Sequence, residues 1–387
     1  MDATCIANGR GYGRFARELI AAMAVRSPED EFVLFVDDRA AAAWTCTAAN
    51  AHLASVPQNI SPTIAAAADS SRSVGDMLRF TRAVWRAKVD VFFSPSVYTY
   101  FPLPPRLAAV VTLHDAIAER FPEMTLPSRK ARLFWNLKTR LALVQANIVL
   151  TVSDFAANEI ADVHGIPRTR IRVATEAPAS VYAPSESAEQ IAAVARKHGV
   201  RSGERWFVYV GGFNPHKHVD VIVKAHAAAI RDLDQPPRLL LVGTRDSDVF
   251  HGAGARITDA IRESGTEELV EWTGYIPDEE LRHLLSGAIA LLLPSESEGF
   301  GLPAVEAAAC GIPVIATTAS PLPELLEGGG YFVRPGDELA MTRAMLAMMT
   351  DECDRLARGA RARERASRLS WTATADATLS ALREAAA

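Results

Sequence analysis

The sequence predicts an α/β protein built as two doubly wound domains facing each other across a cleft, and three observations carry that expectation. The chain is 387 residues long, more than one ordinary core encloses, and a size prior of roughly 100–200 residues per domain points to two. Short apolar, β-branched runs alternate with longer helical patterns, as in parallel-sheet α/β architecture rather than a sandwich or a bundle. The alternation starts afresh after a Pro/Ser/Ala-rich stretch running from Ala174 to Ser187.

Met1–Ile6 reads as the tail of a buried strand without its first residues, so a truncated start is expected. In the first half, strand-like runs fall at Phe32–Val36, Val89–Phe93, Ala109–Leu113, Ile148–Val152 and Ile171–Val173. Ser153 is placed to cap the helix that follows the fourth of these. In the second half, Trp206–Val210, Leu239–Val242, Val270–Trp272, Ile289–Leu293 and Val314–Ala316 each lead through turn residues into a helical stretch. The hinge falls in the Pro/Ser/Ala stretch, giving an N-terminal domain of residues 1–180 and a C-terminal domain of 181–370. Residues 371–387 carry Trp371, Ala375, Leu379 and Leu382 at helical spacing and so bury one face. The pattern alone assigns that face to neither domain; packing back on the N-terminal domain is the expectation.

An apolar share of 49% and a charged share of 22% fit a globular chain. The formal charge of −5 gives no overall pull toward nucleic acid, so an anionic ligand must be met by local groups. Cys5, Cys46, Cys310 and Cys353 show neither CxxC spacing nor disulfide density, which fits reduced thiols in the cytosol and no structural zinc. No run of about 18 uncharged apolar residues occurs, and the start lacks the order of a signal peptide. A cytoplasmic location is therefore expected.

The densest motif is Ser295-Glu296-Ser297-Glu298-Gly299-Phe300-Gly301-Leu302-Pro303-Ala304-Val305-Glu306, directly after an apolar strand. Pro303 suits a first helical turn, so a helix begins at about Leu302, with Gly299 and Gly301 in the turn before it. Backbone amides and the positive helix end there can face a diphosphate. Glu298 in the turn and Glu306 in the first helical turn reach one pocket, where carboxylates accept hydrogen bonds from sugar or ribose hydroxyls. Eight residues apart on one element, they do not form a glycosidase pair, which spans a single bond. The plain alternative for Glu306 is an acid complementing the helix dipole.

Val208-Tyr209-Val210-Gly211-Gly212-Phe213-Asn214-Pro215-His216-Lys217-His218 again runs from strand through a glycine turn toward a helix. Lys217 there is a point-charge partner for phosphate oxygens, and by position alone equally a solvated surface lysine. His114 and Asp115 end a strand at its carboxyl edge, where ligands of open α/β sheets bind. On spacing alone they read as a core-edge histidine and a cap. Gly9-Arg10-Gly11-Tyr12-Gly13-Arg14 opens the helix Phe15–Met23 and reads as a phosphate- or sugar-facing loop. It is a poor dinucleotide fingerprint: Arg14 stands where close packing wants a third glycine, though Asp37 or Asp38 could serve the ribose.

Together these stretches resemble glycosyltransferase family 4, retaining enzymes of the GT-B fold with two Rossmann-like domains, over nearly the whole chain. The resemblance implies that Glu298 contacts the donor sugar and Glu306 the ribose, with Gly299, Phe300, Gly301 and Leu302 lining the donor. It implies that Lys217 and Gly212 meet the diphosphate, that His114 lies by the transferred sugar, and that Gly11 and Gly13 form the first glycine loop. Trp272–Leu281 is similar to the family's nucleobase-side loop, which puts Gly274, Tyr275 and Ile276 beside the base. One departure is that many members carry an arginine shortly before the lysine, where this chain has Gly211-Gly212-Phe213.

The implied activity is transfer of a hexose-type sugar from a nucleoside-diphosphate sugar, UDP- or GDP-linked, to a hydroxyl acceptor, with retention. No metal and no cofactor are expected, the nucleotide sugar being a substrate; Lys217, Glu298 and His114 are the expected catalytic residues. Rival readings are a nucleotide-sugar epimerase on the same fold and a silent nucleotide-sugar-binding partner. Ser128–Arg140 combines basic and aromatic residues on a helical pattern and is expected either to meet an anionic membrane peripherally, at its inner face, or a lipid-linked acceptor, or to be a solvated helix with a buried apolar stripe.

Overall fold

The computed structural model describes residues 1–9, 11–62, 73–126, 128–244 and 253–387. Arg10 of the first glycine motif lies outside the described residues. The chain divides into two units: Met1–Glu176 with Ser370–Ala387, and Ala177–Leu369.

In the first unit, β1 (Phe32–Val36) pairs in parallel with β2 (Ala51–Ser55). A second parallel sheet runs in the order β3 (Val91–Ser94), β4 (Ala108–Thr112), β5 (Ile148–Thr151) and β6 (Ile171–Val173). Met1–Ala3 stitches the two together: Phe35 N donates to Met1 O at 2.9 Å and Asp2 N to Phe93 O at 2.9 Å. The expected strand stops there, and Thr4–Ala7 turns into a 3-10 helix instead. The cause is the Asp2 carboxylate, wholly buried, which accepts from Thr4 N, from Thr4 Oγ1 at 2.7 Å and from Thr99 Oγ1 at 2.7 Å. A buried charge needs such partners, and satisfying them bends the chain out of the sheet.

The helices of this unit include α1 (Gly11–Arg26), α2 (Val74–Ala87), α3 (Arg129–Gln145) and α4 (Asp154–His164). Ser153 caps α4 by accepting from Ala156 N. The C-terminal residues Ser370–Ala387 belong to this unit, and their helix Trp371–Ala386 sets Trp371 edge-on to Phe15 at 6.1 Å. Arg26 pairs with Asp376 at 2.6 Å, and Arg172 pairs with Glu384.

The second unit holds one parallel sheet made of β7 (Trp206–Val210), β8 (Arg238–Val242), β9 (Val270–Gly274), β10 (Leu291–Leu293), β11 (Val314–Thr317) and β12 (Gly330–Val333). Their order is β12-β11-β10-β7-β8-β9. Strands buried on both faces read as continuous apolar runs, and β8 and β10 are buried throughout. The chain builds outward from β7 to β9, then returns to lay β10 on the other side of β7 and builds outward again. The carboxyl ends of β7 and β10 are therefore a topological switch point, where ligands of such sheets bind.

Candidate donor site at the switch point

Two chain segments meet at that switch point. After β7, the residues Gly211–Asn214 lead into a 3-10 turn, Pro215–Lys217, and then α5 (Val219–Ile230). After β10, Pro294–Gly301 leads into α6 (Leu302–Ala309). Gly301 is the N-cap residue in the left-handed region, φ 89°, and a Cβ there would lie 2.7 Å from Leu322 Cδ1. Glycine alone satisfies both the backbone and the packing.

The two segments are tied by a bond that the sequence separates by 81 residues: Lys217 Nζ donates to Glu298 Oε1 at 2.7 Å. Ser295 Oγ donates to the same oxygen at 2.5 Å. Glu298 Oε2 has no hydrogen bond among the described residues, and the lysine ammonium keeps donors to spare. A parallel tie holds His218 Nε2 2.7 Å from Glu296 Oε2, and Glu296 N donates to His216 O at 2.7 Å. Both members of the Lys217–Glu298 pair are largely enclosed, with side chains 19% and 11% exposed. Water therefore screens the pair only in part.

Glu306 is buried on α6, but as the fifth residue of the helix it stands in the second turn rather than the first. The helix begins at Leu302, so its first amides, which have no acceptor within the helix, lie at the end of the glycine turn. Phe300 and Leu302 are buried beside it, and Glu298 N donates to Ala319 O at 3.0 Å, pinning the turn to the loop after β11. On the other side, Tyr209 Oη donates to Gly212 O, and Gly243 N donates to Gly274 O at 3.0 Å. The loops after β7, β8 and β9 are so close that a Cβ on Gly243 would sit 2.1 Å from Gly211 O. Gly274, with φ 73°, turns the chain out of β9 to an exposed Tyr275 and a buried Ile276. Gly274 ends the edge strand β9 and the other two follow it, two strands from β7, and among the described residues no hydrogen bond joins them to Lys217 or Glu298.

In the first unit, His114 follows β4 and donates from Nε2 to Pro95 O at 3.0 Å, with its ring edge-on to Phe15 at 4.8 Å. Burial lowers its pKa to about 4, the Pro95 hydrogen bond opposing weakly, so the imidazole is neutral near pH 7. Glu176 Oε1 lies 3.7 Å from Nδ1, which is therefore no ion pair at that pH. Asp115 accepts from Ile117 N at 3.0 Å, but it stands one residue before Ala116, the N-cap of the short helix Ile117–Arg120, which has no side-chain cap.

Gly11 and Gly13 do not lie in a loop: α1 begins at Gly11, four residues ahead of the expected Phe15, and both occupy its first turn. The reason is close approach. A Cβ on Gly13 would lie 2.1 Å from Asn8 O, so the helix start can seat against residues 5–8 only without a side chain. Position 13, not the one held by Arg14, supplies the close packing.

Sequence reasoning did not assign Ser295, His218 or Glu176. Ser295 and His218 stand inside the motifs, three residues before Glu298 and one after Lys217, a signal that was present. Glu176 carried none, since it sits in a stretch of linker composition yet is buried. Among the described residues no group of three or more His, Cys, Asp or Glu is arranged to hold a metal ion.

Residues 10–175 match the family model described as Glycosyltransferase Family 4, and residues 190–365 match that described as Glycosyl transferases group 1. The chain is similar to O-antigen chain mannosyltransferase B of Escherichia coli, 29% identical over 96% of this chain and 95% of that protein. It also resembles the solved structure of sucrose-phosphate synthase from Thermosynechococcus elongatus, with a TM-score of 0.72 at 21% identity, over 97% of this chain and 93% of that one. A third likeness is to Anabaena HepE, solved in complex with UDP and glucose: TM-score 0.67, 16% identity, 95% of this chain and 96% of that one. At such identities the structural likeness speaks to the fold, which is GT-B.

Proposed function

Because the chain belongs to the family 4 glycosyltransferases, we propose that it moves a hexose from a nucleoside-diphosphate sugar to a hydroxyl acceptor, with retention at the anomeric carbon. The observation that carries the reading is the Lys217–Glu298 bond of 2.7 Å, set at the switch point against the N-terminus of α6. A cation, a helix start and a carboxylate with one free oxygen match a leaving diphosphate and a sugar hydroxyl.

In this reading Lys217 and the opening amides of α6 stabilise charge gathering on the diphosphate as the anomeric C–O bond breaks. Glu298 Oε2 accepts from a sugar hydroxyl while Oε1 stays with Lys217 and Ser295, and Glu306 accepts from the ribose. Gly274, Tyr275 and Ile276 form the side that meets the base. The departing phosphate oxygen takes the acceptor's proton as the new C–O bond forms on the same face, so no enzyme nucleophile is required. In the first unit, neutral His114 is the candidate for a hydrogen bond to a sugar hydroxyl. Lys217 takes the electrostatic role a divalent cation would otherwise fill. The Anabaena protein was solved with UDP and glucose and the Escherichia coli relative is named for mannose, so UDP- and GDP-linked hexoses come first.

The test is a thermal-shift screen of the purified chain against UDP, GDP, ADP, dTDP and CDP and their sugar conjugates, with Lys217→Ala and Glu306→Ala alongside. One preferred nucleotide, lost in both variants, is the expected result. No shift with any of them would remove the reading.

A further inference from the structure

The described helices include none long and apolar enough to cross a membrane, yet α3 is not an ordinary solvated helix. It buries Thr139, Ala142 and Leu143 against its own unit. On the outward side Leu133, Phe134, Leu137, Leu141 and Val144 are exposed, Leu133 at 67% and Val144 at 74%. At 3.6 residues per turn these five fall within an arc of roughly 100°. Lys130 lies inside that arc, its ammonium 5.9 Å from the Phe134 ring centre, and Arg129 and Arg140 border it on the Leu133 side. From Arg129 to Gln145 the helix carries five cations and no carboxylate. Arg132 pairs with Glu123, and Lys138 turns inward to Tyr98 O; Arg129, Lys130 and Arg140 have no carboxylate partner among the described residues.

A second helix repeats the pattern. On α2, Val74, Leu78 and Trp85 are exposed, with Arg82 and Arg86 exposed next to them, while its carboxylate Asp76 is buried and paired with Arg79. Both helices hold the same segment: Thr81 Oγ1 donates to Pro102 O at 2.6 Å and Gln145 Nε2 to Leu103 O at 3.0 Å.

We propose that α3, with α2 beside it, is the face by which this chain docks on an anionic lipid bilayer. The inference is independent of the donor-site reading. A contiguous apolar stripe needs a partner other than water. A second copy of the chain is a poor one, because a two-fold contact would set the two cationic rows against each other. An anionic bilayer suits every group: acyl chains at the boundary take the leucines, Phe134 and Trp85, and phosphate headgroups take the guanidinium and ammonium groups.

The test is co-sedimentation of the full chain with vesicles of phosphatidylcholine, alone or mixed with phosphatidylglycerol, at rising salt. Two surface variants accompany it, R129A/K130A/R140A and Leu133→Ser with Leu137→Ser. Binding to the mixed vesicles only, weakening with salt, is expected. Each lost cation should weaken it about fivefold, so the triple variant falls roughly a hundredfold. The leucine variant should lose at least about tenfold. Melting curves of both variants should match the unsubstituted chain, because all five side chains are solvent-facing. Three results would overturn the proposal: no binding to mixed vesicles, undiminished binding by the variants, or a dimer in sedimentation velocity that Leu137→Ser abolishes.

Discussion

Replacing Lys217 by methionine keeps the shape of the side chain and removes its charge, leaving Glu298 enclosed with only Ser295 Oγ on Oε1. Breaking a fully buried pair from one side costs about 3–5 kcal/mol. Here the side chains are 19% and 11% exposed, so solvent recovers part of that, and about 2 kcal/mol is the reasonable figure. Glu298→Gln strands the ammonium instead, at about the same cost. The double variant strands neither charge, so its loss should stay near about 2 kcal/mol rather than reach the sum of about 4. For a unit of this size each single change lowers the melting transition by roughly 4–8 °C. Differential scanning calorimetry of the four proteins reads the cycle, following the transition that moves, since a chain of two units is not two-state. Activity should behave differently: kcat falls about 10²- to 10³-fold in Lys217→Met and is not recovered in the double variant. Additive stability losses, or a Lys217→Met enzyme turning over as fast as the unsubstituted one, would refute the pairing argument.

Further expectations follow from other features. Gly301→Ala meets both a positive φ of 89° and a 2.7 Å contact with Leu322, so it should lose about 2 kcal/mol and weaken nucleotide binding, read by melting and titration. His114 and His226 are held near pKa 4 by burial, below the unfolded value of 6.5. The stability they contribute is present above pH 6.5 and is lost as pH falls toward 4, by about 3 kcal/mol each in urea unfolding. Glu119 has the opposite sign, since burial raises it to about 7 despite the hydrogen bond from Trp135 Nε1. Its favourable share is present below 4.5 and is lost as pH rises through 7, so Glu119→Gln should gain about 3 kcal/mol on the unsubstituted chain between pH 4.5 and 8. On the proposed mechanism Lys217 and the start of α6 carry the electrostatic task, so transfer activity should survive EDTA undiminished; loss restored by a divalent cation would contradict it.

Most strands were legible because parallel sheets buried on both faces leave unbroken apolar runs, such as Leu291-Leu292-Leu293. Two were not. β2 is Ala-His-Leu-Ala-Ser, half-exposed and without β-branched residues, and forms because β1 offers it an edge. β12 begins at Gly330, a residue that weakens a strand, but here a Cβ would lie 2.0 Å from Val314 O. The start of α1 was misplaced for a related reason: glycine reads as a helix breaker until the close approach at Gly13 is visible. At the site, the motif segments around Lys217 and Glu298 stood out as glycine turns at strand ends, but their bond did not, since no local pattern spans 81 residues. Glu176 shows the limit most plainly, a buried acid beside His114 within a run that reads as linker.

The most direct measurement compares affinity for the preferred nucleoside diphosphate and its monophosphate by titration calorimetry, in the unsubstituted chain and in Lys217→Ala. If Lys217 meets the diphosphate at the switch point, the diphosphate binds roughly ten- to a hundredfold tighter, as a charge-assisted phosphate contact allows, and that preference disappears in the variant. A preference that persists without Lys217, or one that was never there, would contradict the account.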